Sequence, residues 1–201
     1  MIEKLSPNDK EGIEKVASMH RQVLPWSVLS VFGIEFLMMY YQNALKSGSL
    51  CCLVHKEKRE IVGFITFSKD SSKVLFEILK KRFFLFITLL SKSLLKNPKK
   101  IKTALSSAYF VLATQGKILP SINAEIMAFA VLPDFRRKNI GSHLFKAASK
   151  SLKDFGAKNF KVQTEQENTP ANKFYSGHGC VLAENRFWFL GSRLNVYKGI
   201  L

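Results

Sequence analysis

The sequence predicts a mixed α/β fold, and three observations carry the prediction. Ala124 to Val131 is apolar and rich in strand formers, and Pro133 ends it because proline cannot donate to a sheet ladder. A helix must follow closely, since Leu144, Phe145, Ala148, Leu152 and Phe155 recur at 3.6-residue spacing. Leu50 to His55 and Ile61 to Ser68 read as two antiparallel strands about the charged turn Lys56-Glu57-Lys58-Arg59-Glu60.

Taken from the start, Ile2-Glu3-Lys4-Leu5 can form a short first strand. Ser6-Pro7-Asn8-Asp9 is a turn whose Asp9 caps a helix carrying Ile13, Val16, Ala17, His20 and Leu24 on one face. Leu24-Pro25-Trp26-Ser27 interrupts it. A second helix runs from about Gly33 to Lys46 with Phe36, Leu37, Tyr40, Tyr41 and Leu45 inward. After the two antiparallel strands comes a long segment, about 72–118, in which Phe83 to Leu90 is apolar nearly all round. It falls well short of the roughly 20 residues that span a bilayer. Lys80, Lys81 and Arg82 precede it, and Lys92 and Lys96 follow. Two or three helices broken at Pro98 are expected, because a structureless loop of this length is rare. Such an insert suits a lid on a pocket, a peripheral contact with a membrane face, or an ordinary core or dimer helix.

At 201 residues the chain suits one domain, 1–201, with a proper core, and its 47% hydrophobic content excludes a disordered chain. Three cysteines, Cys51 and Cys52 adjacent and Cys180 distant, match neither a disulfide framework nor a zinc spacing. No metal site and a reducing cytoplasm are the expectations, and Met1 to Gly12 lacks the apolar run of a signal peptide. The net charge of +16 concentrates anions without choosing among phosphate-bearing small molecules, nucleic acid and an acidic membrane face.

Between the strand ending at Val131 and the next helix lies Arg136-Arg137-Lys138-Asn139-Ile140-Gly141-Ser142, a cationic loop at a helix N-terminus. The first helical N–H groups have no internal partner and the dipole there favours negative charge, so the loop is suited to a phosphate. Val131-x-Pro133-x-x-Arg136-x-x-Asn139-x-Gly141 resembles the pyrophosphate-binding signature Q/R-x-x-G-x-G/A of the GNAT superfamily of acetyl-CoA-dependent N-acyltransferases. Asn168-Thr169-Pro170-Ala171-Asn172-Lys173-Phe174-Tyr175 resembles the second motif of that superfamily, and the two stand in the right order, separated by a helix and the strand Phe160 to Thr164. Ile61-Val62-Gly63-Phe64-Ile65-Thr66-Phe67 resembles the hairpin strand that precedes the cofactor strand in these enzymes. The chain departs from the signature at Asn139, where a glycine is usual; Asn is the residue other than glycine that best tolerates the left-handed conformation.

The resemblance implies a GNAT-like mixed, mostly antiparallel sheet flanked by helices, with the insert before the cofactor strand. It implies acetyl-CoA as donor, held by the backbone at Phe129, Ala130 and Val131, by Arg136, Arg137, Lys138, Asn139, Ile140, Gly141 and Ser142, and by Asn168, Ala171 and Tyr175. Tyr175 matches the family's general acid, and Glu125, at the start of the cofactor strand, is the best-placed base, with His20 or a water relay as alternatives. The segment between the first two helices would wall the acceptor site, making Trp26, Phe32, Tyr40 and His20 candidate contacts; the alternative is that they are core residues. The implied partner is a small-molecule amine, such as a nucleotide-linked amino sugar, and a softer likeness is to acetyltransferases of bacterial surface-polysaccharide pathways. A protein N-terminus or lysine is the second acceptor class. Outside the enzymes, a basic RNA- or membrane-binding protein on the same scaffold is the alternative; no RNP-like aromatic pair is evident, so nucleic acid is not expected.

Overall fold

The computed structural model describes residues 1–25, 27–74, 118–187 and 193–201. Among the described residues seven strands form one sheet: β1 (Ile2–Lys4), β2 (Cys51–Glu57), β3 (Glu60–Ser68), β4 (Glu125–Val131), β5 (Asn159–Glu165), β6 (Val181–Phe187) and β7 (Arg193–Ile200), in the order β1-β2-β3-β4-β5-β7-β6. Every neighbouring pair is antiparallel except β4 and β5. That parallel pair meets only at Glu125–Lys161 and Ile126–Val162. Beyond Ile126, β4 stays on β3 as far as Val131 while β5 stays on β7 as far as Glu165. The sheet therefore splits into a V between its two central strands, which is the feature that positions everything else.

A bulge shapes the split. Thr66 faces Ala128 and Phe67 faces Ile126, so Met127 has no opposite number on β3. In an uninterrupted strand Ile126, Ala128 and Ala130 would share one face. Here Ala128 and Ala130 bury into the core on one side of the sheet and Ile126 into the core on the other. The extra residue increases local twist and bend, as bulges do. β4 is thus not the strand buried on both sides that its apolar run suggests: Met127 is 37% exposed, and Phe129 and Val131 are half-buried.

Helices α1 (Lys10–Val23), α2 (Val28–Val31) and α3 (Ile34–Ser47) go with one face, where Ile13, Val16, Ala17, Leu37, Tyr41 and Ala44 bury with Phe64 and Ala130. Asp9 caps α1 by accepting from the Gly12 N–H at 2.8 Å, as its position before the apolar stripe predicts. On the other face α4 (Ile140–Asp154) lays Leu144, Phe145, Ala148 and Leu152 against Ile65, Phe67, Phe160 and Val162, with α5 (Thr169–Gly177) beside it. Gly63 lets α4 come down onto β3, since a Cβ there would meet Leu144 at 3.1 Å and Ile140 at 3.2 Å. Phe155 departs from the expected stripe: it follows the last helical residue, is 48% exposed, and its ring centre lies 6.5 Å from that of Phe67. The expected helices of the insert lie outside the described residues, as does Trp26. Among the described residues no helix is long and apolar enough to cross a membrane.

Candidate active site

The V opens into a cleft of about 630 Å³. One wall is the free end of β4, Phe129 to Val131, continuing into the loop with Arg136, Arg137 and Asn139 and the first turn of α4 at Gly141 and Ser142. The other wall is the end of β5 with Glu165 and Glu167, then Asn168, Pro170, Ala171, Phe174 and Tyr175 around α5; Val23 and Leu24 close one side. The basic loop keeps its shape by two left-handed residues, Arg137 and Asn139, both at φ 61°. Asn139 is the N-cap of α4 and makes no side-chain bond to it, so its amide side chain does not compete for the first-turn N–H groups. Arg136 donates its Nε–H to the Val131 carbonyl at 3.0 Å and so ties the loop to the strand end. Gly141 is wedged between aromatic rings: a Cβ on it would lie 3.3 Å from Phe129 and 3.5 Å from Phe174.

The α5 wall is held by amides. Asn168 caps the helix, its Oδ1 accepting from the Ala171 N–H at 3.2 Å. Asn172 donates to the carbonyls of Glu165, Gln166 and Asn168, while its Oδ1 accepts from Asn195 at 2.7 Å and Tyr197 at 2.9 Å. One side chain thereby pins the β5–α5 turn to β7. Tyr175 lines the cleft although only 6% of it is exposed, and burial raises its phenol above the usual value of 10.0. It is a protonated donor at any neutral pH. Glu165 is also raised, by burial first and then by the charge of Glu167.

Residues 103–180 match the model of the acetyltransferase (GNAT) family. That stretch is under half of the chain, and over it the sequence resembles the family. The structure of the chain resembles, in fold, a Desulfovibrio desulfuricans protein assigned to the GNAT family, with 12% identity, 100% of this chain and 98% of the other covered, and a TM-score of 0.61. PaiA N-acetyltransferase of Thermoplasma acidophilum, solved in complex with coenzyme A, gives 14%, 100%, 99% and 0.58. Ribosomal-protein-alanine N-acetyltransferase of Brucella melitensis gives 10%, 100%, 99% and 0.60. No curated protein matches the sequence.

Of the residues singled out from sequence, the cleft gathers Phe129, Ala130, Val131, Arg136, Arg137, Asn139, Gly141, Ser142, Asn168, Ala171 and Tyr175. Lys138 instead lies over the Phe135 ring at 5.0 Å, and Ile140, the first residue of α4, is buried in the core. Glu125 sits at the closed end of the V rather than in the cleft wall, accepting from Gln163 Nε2 at 2.9 Å with Lys161 Nζ 4.0 Å away. Tyr40 is near enough that the Glu125 charge, second to burial, helps raise its phenol. Phe32 packs against Phe36, its ring tilted to it at 4.8 Å, inside the α1–α3 core. His20, 2% exposed, lies between Tyr41 and Ser27. Neither His20, Phe32 nor Tyr40 lines the cleft. Glu165 and Glu167 were not legible as wall residues, because acidic residues at a strand end read as an ordinary solvated turn.

Proposed function

We propose that the chain moves the acetyl group of acetyl-CoA to a primary amine by direct attack within a ternary complex. The observation that carries this reading is the parting of β4 from β5 after Ile126, beside the N-terminus of α4. From Phe129 to Val131 the β4 backbone on that side has no strand partner among the described residues, and an extended arm bearing amides can hydrogen-bond there as an added strand would. The cleft volume lies in the range of small-molecule sites, about 300–1,000 Å³. Arg136, Arg137, Asn139, Gly141 and Ser142 would hold the diphosphate, with Lys138 and Ile140 supporting the loop and Asn168 and Ala171 the opposite side. Acetyl-CoA supplies the acyl group as a thioester. The β4 amides polarise that carbonyl, and the site gains rate by orienting both partners. Tyr175 donates its phenolic hydrogen to the departing sulfur. Glu125, outside the wall, takes the proton of the attacking amine through water.

The proposed acceptor is a small amine, a nucleotide-linked amino sugar being the class that a cationic loop would favour. A second reading, the amino group of a protein N-terminus or lysine, is favoured by Glu165 and Glu167, whose carboxylates suit an ammonium approaching that wall. Thiol release from acetyl-CoA with a panel of amino sugars, simple amines and peptides tests both. Turnover with one class selects it; acetyl-CoA binding without transfer to any amine rejects the reading.

A further inference from the structure

We propose that His178 is a positioning residue for the cofactor diphosphate: it sets the direction of the Ser142 hydroxyl, so that filling the N-terminus of α4 draws a proton onto His178. The inference rests on the diphosphate site proposed above. His178 Nδ1 lies 2.8 Å from the Phe174 carbonyl. A carbonyl oxygen only accepts, so Nδ1 carries the hydrogen. In the neutral imidazole Nε2 is then an acceptor, and it stands 3.0 Å from Ser142 Oγ. The single hydroxyl hydrogen of Ser142 is thus directed at His178, and Ser142 presents lone pairs to the cleft it lines.

A phosphate oxygen arriving at that turn of α4 meets another oxygen's lone pairs. If the hydroxyl turns to donate to the phosphate, Nε2 and Oγ are left as two acceptors 3.0 Å apart. Protonating His178 resolves the conflict. Nε2–H donates to Oγ, Oγ–H donates to the phosphate, and a positive charge stands directly behind the anion. One proton is taken from solvent per ligand bound, and no covalent bond to carbon or phosphorus changes. The ring cannot swing away easily, being stacked on Phe174 at 4.0 Å and edge-on to Phe145 at 5.3 Å. Its contacts with Phe174, Phe145 and Ser142 bring no charge to the ring. Along the same elements the charged side chains are Lys146, one turn beyond Ser142, and Lys173, before Phe174, both exposed. His143, beside Ser142, is exposed and its charge is felt by His55 on β2. Tyr175 and Cys180, nearby on and after α5, are kept neutral by burial.

The test is calorimetric titration with dephospho-CoA at about pH 5.5 and about pH 8, using the wild type, His178→Gln and Ser142→Ala. Dephospho-CoA lacks the monoester phosphate whose second pKa of about 6 would itself titrate in this window. The wild type should lose affinity on the order of tenfold as pH rises. Both variants should lose distinctly less, and the double variant no less than either. His143→Gln should keep the wild-type loss attributable to His178, and Ser142→Ala leaves the ring packing untouched should His178→Gln fold poorly. Equal pH slopes in the wild type and the variants overturn the coupling alone. Absence of dephospho-CoA binding at both pH values overturns the diphosphate site and the coupling with it.

Discussion

Acid should destabilise this fold through His20. The ring is 2% exposed and stacked against Phe64. Its partners fix its form. Ser30 donates to the Leu24 carbonyl at 2.8 Å and Ser27 to Ser30 at 2.9 Å, so Ser27 must accept from His20 Nε2–H. Tyr41 then donates to Nδ1. Every hydrogen bond is satisfied by the neutral imidazole, and burial lowers the pKa from 6.5 to about 4. Between those values the unfolded chain binds a proton that the folded one refuses, so stability present above pH 6.5 is lost as pH falls towards 4. The full drop corresponds to about 3 kcal/mol. His20→Gln is the control, since other carboxylates titrate in both proteins. It should be less stable at neutral pH by about 1–3 kcal/mol, with some of its hydrogen bonds unmade. The gap should narrow by about 3 kcal/mol on going to about pH 4. Urea unfolding at a series of pH values measures it. Stability curves that stay parallel would refute the buried neutral histidine.

Tyr175→Phe should lower turnover by on the order of a hundredfold while acetyl-CoA affinity changes little, as expected for a general acid; steady-state rates and calorimetry separate the two, and an unchanged rate removes Tyr175 from that role. Arg137→Gly should weaken CoA binding several-fold without lowering the melting temperature, because glycine relieves a left-handed φ of 61° that costs other residues roughly 1–2 kcal/mol; a lower melting temperature would mean that the Arg137 side chain holds the loop. Gly199→Ala should cost about 1–3 kcal/mol or more, since a Cβ there would overlap the Phe160 ring, which is buried at 2% exposure and has little room to shift; an unchanged scanning-calorimetry transition would contradict the packing described.

Much of the scaffold was legible because local chemistry is unambiguous where it matters. Asp9 before the stripe of α1, Pro133 after β4 and Asn139 at the start of α4 each punctuate the chain as their side chains dictate. The bulge at Met127 was not legible. Every residue from Ile126 to Val131 is apolar, so nothing in the pattern marks where the side chains change faces. Without the bulge the V could not be placed, nor the wall formed by the end of β5. Phe155 satisfies helical spacing yet falls past the last turn, because periodicity does not report where a helix stops. His20, Phe32 and Tyr40 share a difficulty: an aromatic or imidazole on an apolar face looks the same whether it meets a ligand or the core, and tertiary packing decided for the core.

The account stands on a diphosphate held at the N-terminus of α4, in the split between β4 and β5. Calorimetric titration of folded wild-type protein with acetyl-CoA tests this most directly when paired with Arg136→Ala plus Arg137→Ala. A saturable one-to-one isotherm that weakens in the double variant, and weakens further as salt is raised, is the predicted result. Heat of binding indifferent to both arginines would place the donor elsewhere, and no heat at all would contradict the site.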